Sequence, residues 1–298
     1  MNNHTLKDWI LATRPWSFPA SAMPVMVTAV WMYVTGHPTN WWLAVAAVVN
    51  IILVHAAGNV WSDYHDYKRG VDRDDTYGVK ILTSGKFTPR EVWCLSATLQ
   101  VLAVAMGCMM VLLTGLPLLW IGLIGIALSL LYPPLKYHAL GDVVILLCYA
   151  VLPMLGTTFI VGGQIHPQVL WLAVPVGLIT MAILHANNTR DIETDSRAHI
   201  TTFPMLTGRN IAVPIYVAEV LVPYLWVAGL CLSGFLPWTA LLTWVSLPIA
   251  WGNVRTIAKF RREGVKSYAW LDEATAKLQL AFSLLLIIGL LLSLIWND

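Results

Sequence analysis

The 298-residue sequence predicts an all-α, polytopic membrane protein with nine transmembrane helices. Three observations carry that prediction. Hydrophobic residues make up 58% of the chain and charged residues only 11%, against about a quarter charged in ordinary soluble domains. Apolar runs close to the roughly 17–25 residues that a bilayer span needs recur along the whole length, and mean hydropathy is +0.69. The basic residues are segregated to alternate loops, as the positive-inside rule requires.

The runs are 16–35, 41–61, 92–114, 116–132, 143–162, 168–186, 211–233, 238–252 and 279–296, the fourth and eighth being short. The first follows a polar, charged segment and reads as a true span, not a cleavable signal. Tryptophans stand near run ends (Trp16, Trp41, Trp42, Trp61, Trp238 and Trp296), where interfacial rings are expected. All 18 Lys and Arg precede the first run or follow an even-numbered one. The opposite loops, "GHPTN", "GL", "GGQIHP" and "GFLP", hold none. The pattern places the N-terminus and the large loops in the cytoplasm and Asp298 across the membrane, the cell inner membrane being the expected one. It also supports the count of nine, because one span fewer would scatter the charges. The four cysteines (Cys94, Cys108, Cys148, Cys231) lie in different apolar stretches without ligand spacing and read as buried packing residues. Nothing in the pattern calls for nucleic acid; membrane lipid is the implied surrounding.

Against this apolar background the carboxylates cluster. "NVWSDYHDYKRGVDRDD", residues 59–75, holds Asp63, Asp66, Asp72, Asp74 and Asp75, and "NNTRDIETDSR", residues 187–197, holds Asp191, Glu193 and Asp195. The clusters follow the second and sixth spans, on the same face. Their spacing corresponds: Asn59, Asp63 and Asp66 against Asn187, Asp191 and Asp195. If each helix runs on past the membrane, positions i, i+4 and i+7 or i+8 form one stripe. Chain 1–298 reads as one domain of two loosely repeated four-helix units, about 11–140 and 141–275, plus a ninth helix at 279–296.

Two carboxylate stripes facing each other repel in a dehydrated setting, so a cation must compensate. Hard oxygen donors point to Mg²⁺, which binds through one or two carboxylates plus substrate phosphates. Lys68, Arg69, Lys80, Lys86, Lys136 and Arg190 are on the right face to meet such phosphates, and Arg14 could reach in from the first span. Each also has an ordinary positive-inside reading. His55 and His185, each shortly before an Asn-led motif, and Glu219, alone within a span, read first as internally hydrogen-bonded residues.

Together these residues resemble the UbiA superfamily of membrane prenyltransferases, over about residues 11–210. "ATRPWSFPASAMPV" is similar to that family's first helix, and "NVWSDYHDYKRGVD" to its first Asp-rich motif. "KILTSGKFTP" is similar to its basic-x-L-x-SG-x-x-x-P segment, "YPPLK" to its Y-x-x-x-K element and "NNTRDIETD" to its second Asp-rich motif. "ALGDVVIL…LPMLGTTFIVGGQ" and "AILHANNTRDIETD" narrow the resemblance. They point to the 1,4-dihydroxy-2-naphthoate polyprenyltransferases of menaquinone synthesis (MenA-type) and their animal relatives. Two departures stand out: Ser62 takes the place of the Asn in the usual N-D pair, and His199–Ile200–Thr201–Thr202 replaces a G-K-x-T segment.

The resemblance implies nine helices around a central cavity under a cytoplasmic cap. It implies a Mg²⁺-dependent enzyme that moves a polyprenyl group from a prenyl diphosphate to 1,4-dihydroxy-2-naphthoate. Carbon dioxide and diphosphate leave, giving demethylmenaquinone. One ion is assigned to Asp63 and Asp66 and another to Asp191 and Asp195, with Asn59 and Asn187 in support. Asp72 is a third ligand or an acceptor-site base. Lys136 and Tyr132 would act at the reacting centre, the lysine on the diphosphate and the ring beside a passing cation. Arg14, Lys68, Lys80, Asn188 and Arg190 complete the expected substrate contacts. The alternatives are another aromatic acceptor, 4-hydroxybenzoate or homogentisate, or a cation transporter, which would instead hold its ion near the midplane.

Overall fold

A computed structural model describes residues 4–78 and 80–296. It is a bundle of α-helices. A short α1 (Leu6–Ala12) leads into α2 (Pro19–Val34) and α3 (Trp41–Arg69). Then follow α4 (Pro89–Thr114), α5 (Pro117–Lys136), α6 (Gly141–Leu146), α7 (Leu152–Gly162) and α8 (Leu170–Arg190). The short α9 (Ile192–Arg197) and α10 (Phe203–Thr207) precede α11 (Arg209–Leu232). The chain closes with α12 (Leu247–Ala258), α13 (Phe260–Glu263) and α14 (Leu271–Trp296).

Local chemistry sets the ends that matter. Asn40 caps α3 by accepting from the Trp42 and Leu43 amides, and Gly70 ends it in the left-handed region at φ 71°. Its 29 residues span about 44 Å at 1.5 Å per residue. That exceeds a hydrocarbon core of about 30 Å, so α3 carries the first acidic motif beyond it as one continuous helix. The second motif is less regular: α8 stops at Arg190, and the chain re-forms a helix from Ile192. Between α6 and α7, Leu147–Val151 winds as a π-helical turn ahead of Pro153, which has no N–H to give.

Among the described residues, eight helical segments are long and apolar enough to cross a membrane. The predicted span at 238–252 differs from these. It is a 3₁₀ run, Trp238–Ser246, continuing as α12. The cause lies in its neighbour. A Cβ on Gly289 of α14 would sit 2.5 Å from the Thr239 carbonyl oxygen and 2.9 Å from Ala240 Cα. The 3₁₀ backbone therefore lies directly on α14. The chain on the two sides of Trp238–Ala258 reaches different parts of the bundle: Phe235, three residues before it, stacks on Trp31, and Asp272, fourteen residues after it, bonds Arg190.

The large apolar core joins α2, α8, α11 and α14, with Tyr216, Tyr224 and Phe282 fully buried in it. The reading of all four cysteines as buried holds for Cys231 only; Cys94 and Cys108 are exposed and Cys148 is half-buried. An apolar run shows that a helix sits in apolar surroundings, not which face it turns to its neighbours.

At the end carrying both acidic motifs, loops form a cap. Ala139 donates to the Thr201 carbonyl at 2.8 Å and Thr201 donates to the Tyr137 carbonyl at 3.0 Å. This ties the loop after Lys136 to the chain beyond the second motif. Ile200 packs there with Val71, Tyr137 and Ala198. The stretch that replaces the G-K-x-T segment is thus a packing surface.

Candidate active site

A cavity of about 330 Å³ lies beneath this cap. Its mouth is lined by Asp66, Asp72, Asp191, Asp195, Asp272 and Glu273, together with Arg14, Lys136 and Arg190. Six carboxylates stand there against three cations. The inner wall is more apolar, with Val54, Val144, Ile145, Ile183 and Leu184.

Asp66 is buried and fully engaged. Lys136 Nζ donates to Oδ2 at 2.9 Å, Ser62 Oγ to the same oxygen at 3.2 Å, and Tyr137 Oη to Oδ1 at 2.7 Å. Tyr137 is a buried partner of the motif, and burial with the Asp66 charge holds its hydroxyl far above its usual pKa. Lys136 has three donors and spends one on Asp66. Tyr132 lines the cavity beside it.

Asp63 does not join Asp66 in the main cavity. It pairs with Arg14 and lines a small side pocket with Asp72, Tyr77 and Lys80. Its second oxygen is buried with no hydrogen-bond partner among the described residues. The one-turn offset rotates Asp63 away, toward the segment before α2. Arg14 sits there in the left-handed region, at φ 56°, just before Pro15, and its buried Nε is unpartnered. Arg14 therefore keeps donor capacity toward the cavity.

Arg190 has none. Its Nε donates to Asp191 Oδ1 at 2.8 Å, and one terminal nitrogen serves Asp191 Oδ2 at 2.7 Å and Asn187 Oδ1 at 2.8 Å. The other serves the Ala269 carbonyl at 2.9 Å and Asp272 at 3.1 Å. All five guanidinium N–H groups are spent on protein. The expected diphosphate contact is instead a clamp, which fixes Asp191 and Asn187 and pins the start of α14 over the cavity.

The remaining expected residues divide in the same way. Asn187 and Asn188 line the cavity, as does Asn59, whose amide nitrogen donates to Thr13 O and Ser17 Oγ at 3.0 and 3.1 Å. Asp72 lines both pockets, and burial pushes its carboxyl up to about 6. Burial likewise pushes Asp195 up to about 7, opposed by Lys136 and reinforced by Asp191. Lys68 is exposed, over the Tyr64 ring, and Lys80 bonds the Asp74 carbonyl, so neither reaches the main cavity. Sequence reasoning missed Asp272 and Glu273, which come from a third element with no motif around them. It also missed Arg209, which pairs with Glu193 beside the second motif.

Among the described residues, no three His, Cys, Asp or Glu side chains converge to hold a metal by themselves. The donor set still fits Mg²⁺, whose shell is normally completed by water and substrate phosphates. Hard oxygens line one cavity, and their excess negative charge calls for cations.

The model of the UbiA prenyltransferase family matches residues 22–272. The chain belongs to the UbiA prenyltransferase family. Its similarity to the zebrafish (Danio rerio) UbiA prenyltransferase domain-containing protein 1 is 33% identity over 291 residues, covering 96% of this chain and 84% of the relative. The human protein of that name is 31% identical over 292 residues, with coverage of 96% and 84%. The UbiA-like fold itself is shared with an apo UbiA homolog from Aeropyrum pernix K1, at TM-score 0.69 and 17% identity over 94% of this chain and 97% of that one. A UbiA homolog from Archaeoglobus fulgidus bound to DMAPP and Mg²⁺ aligns at TM-score 0.62 and 16% identity, over 94% and 99%. The family assignment makes the chain an integral-membrane prenyltransferase. Within the UbiA family, these curated relatives carry the animal-type name and not specifically the MenA one.

Proposed function

We propose that this enzyme transfers a polyprenyl group from a prenyl diphosphate to 1,4-dihydroxy-2-naphthoate. The observation that carries the diphosphate half is the charge of the cavity mouth, with six carboxylates against three cations. A bare diphosphate would be repelled there, whereas one accompanied by divalent cations would be held. The A. fulgidus homolog binds DMAPP with Mg²⁺, which supports the same pairing here. The acceptor half rests on the resemblance of 139–164 and 182–195 to naphthoate-using members.

Asp66, Asp191 and Asp195, aided by Asp72 and the Asn187 amide, would hold the ions. When bound, Mg²⁺ supplies Lewis-acid neutralisation of the departing diphosphate. Lys136, with two spare N–H donors, and Arg14 add preorganised positive charge where the leaving oxygens develop negative charge. The apolar inner wall keeps water from the allylic centre. The C–O bond to diphosphate breaks and a new C–C bond forms at the ring carbon bearing the carboxylate. That carboxylate then leaves as carbon dioxide, and its bonding pair restores the aromatic ring. The product is demethylmenaquinol, the reduced form of demethylmenaquinone.

The orientation follows from the basic end of the bundle, which the positive-inside rule places in the cytoplasm of a cell inner membrane. With Trp238–Ala258 as a broken crossing, the spans number nine and the chain ends on the opposite side; Asp298 itself falls outside the described residues. The test offers geranylgeranyl diphosphate and Mg²⁺ with 1,4-dihydroxy-2-naphthoate or 4-hydroxybenzoate in parallel, and products are identified by mass. Prenylation of the naphthoate with decarboxylation is expected; product from 4-hydroxybenzoate alone would move the enzyme to another acceptor.

A further inference from the structure

We propose that His55, Tyr149 and Ser129, closing around Gly58, form the subsite that holds the aromatic acceptor. This deepens the prenyl-transfer reading and rests on it. All four residues line the cavity. His55 precedes Asp66 by eleven residues of α3, about 16 Å of helix axis. The subsite therefore lies well inward of the diphosphate-binding mouth, on the side to which an allylic carbon would extend.

Hydrogen bonding fixes the histidine. Ser17 Oγ gives its single proton to the Arg14 carbonyl at 2.8 Å and receives an N–H from Asn59 at 3.1 Å. It can only accept from His55 Nε2, 3.3 Å away, so that nitrogen carries the proton. Nδ1 then accepts from Ser21 Oγ at 2.8 Å. The 3.3 Å contact is at the long end of hydrogen bonding. An Nε2–H so loosely held can turn to a better acceptor, such as a ligand oxygen carrying negative charge.

The walls suit a flat ring. The His55 and Tyr149 rings are 4.4 Å apart at their centroids and tilted by 32°. Beside them Gly58 leaves the wall one methyl group short: a Cβ there would meet Ser129 Oγ at 3.7 Å and Tyr149 Oη at 3.8 Å, ordinary van der Waals contact. Neither hydroxyl has a hydrogen-bond partner among the described residues. A cavity wall carrying two unpaired hydroxyls and one N–H donor matches a hydroxylated aromatic carboxylate. The first isoprene unit of the donor, wholly hydrocarbon, would use none of the three.

The test measures KM for geranylgeranyl diphosphate and for the acceptor that the wild-type enzyme prenylates, in nanodiscs. His55→Ala is expected to raise the acceptor KM about tenfold, the loss of one hydrogen bond to a charged oxygen. The diphosphate KM should stay within about twofold. His55→Gln, which restores an N–H at similar reach, should recover part of the loss. Gly58→Ala fits the unliganded packing at ordinary contact distance and should still raise the acceptor KM several-fold by crowding the two hydroxyls. A rise confined to the diphosphate, or equal for both substrates, would overturn the subsite. If wild type prenylates a different hydroxyarene, the naphthoate assignment falls, and the KM values for that arene decide the subsite by the same criteria.

Discussion

Lys136 and Asp66 lie 70 residues apart in sequence and 2.9 Å apart in the structure, with both side chains largely shielded from solvent. The pair joins the element "YPPLK" to the first Asp-rich motif. It leaves the ammonium partly unspent at the cavity mouth, where a leaving diphosphate would develop charge.

Replacing that ammonium should therefore act on the chemical step. Lys136→Met is expected to lower kcat by about 10²–10³, the range for one preorganised charge donor. Its effect on substrate KM should be smaller. Steady-state kinetics in nanodiscs checks the split; a change in KM alone would place Lys136 in binding only.

The two carboxylates of the first motif should behave differently. Asp66→Ala removes a residue that lines the cavity and is expected to abolish turnover. Asp63→Ala acts through Arg14, and positioning losses of this kind run about 10–100-fold. Equal and complete loss in both variants would show that Asp63 reaches the ions after all. Circular dichroism and size-exclusion profiles of the detergent-solubilised variants confirm folding.

Arg190 offers a sharper test of geometry against charge. Its five N–H groups satisfy Asp191, Asn187, Asp272 and the Ala269 carbonyl, and a lysine cannot reproduce that fork. Arg190→Lys keeps the charge yet should lower kcat about 10–100-fold, and it should loosen the start of α14. Faster hydrogen exchange in 269–275 is the readout that accompanies the loss. Wild-type kinetics in Arg190→Lys would restore its reading as a simple charge.

The contact between α14 and the 3₁₀ segment is a stability prediction. Gly289→Leu forces a side chain onto the Thr239–Ala240 backbone, and overpacking costs about 1–3 kcal/mol or more. A lower thermal unfolding midpoint and a reduced folded yield are expected. Gly125→Ala, where nothing lies within 4 Å of the added Cβ, should leave both unchanged.

Much of this was legible in the sequence because a bilayer imposes simple rules. Apolar runs located the eight long helices among the described residues, whereas the remaining run, 238–252, opens as the 3₁₀ segment Trp238–Ser246. The pairing of Asn59 and Asp66 with Asn187 and Asp195 located one cavity. What stayed hidden depends on which way a side chain turns. Asp63 lies three residues from Asp66, so the helix rotates it toward Arg14; Arg190 looks like a spare cation until its partners are counted. Asp272 and Glu273 belong to a third element whose approach is set by packing, and no local spacing announces that. Lys68 and Lys80 had the right face of the membrane but not the right face of their own segment.

The most direct test follows carboxyl-labelled 1,4-dihydroxy-2-naphthoate with geranylgeranyl diphosphate and purified enzyme in nanodiscs, with Mg²⁺ and then with EDTA. Carbon dioxide and diphosphate should appear in equal amounts with Mg²⁺, stop with EDTA, and resume when Mg²⁺ is restored. Diphosphate release that continues in EDTA, or that proceeds without label leaving the ring, would contradict the account.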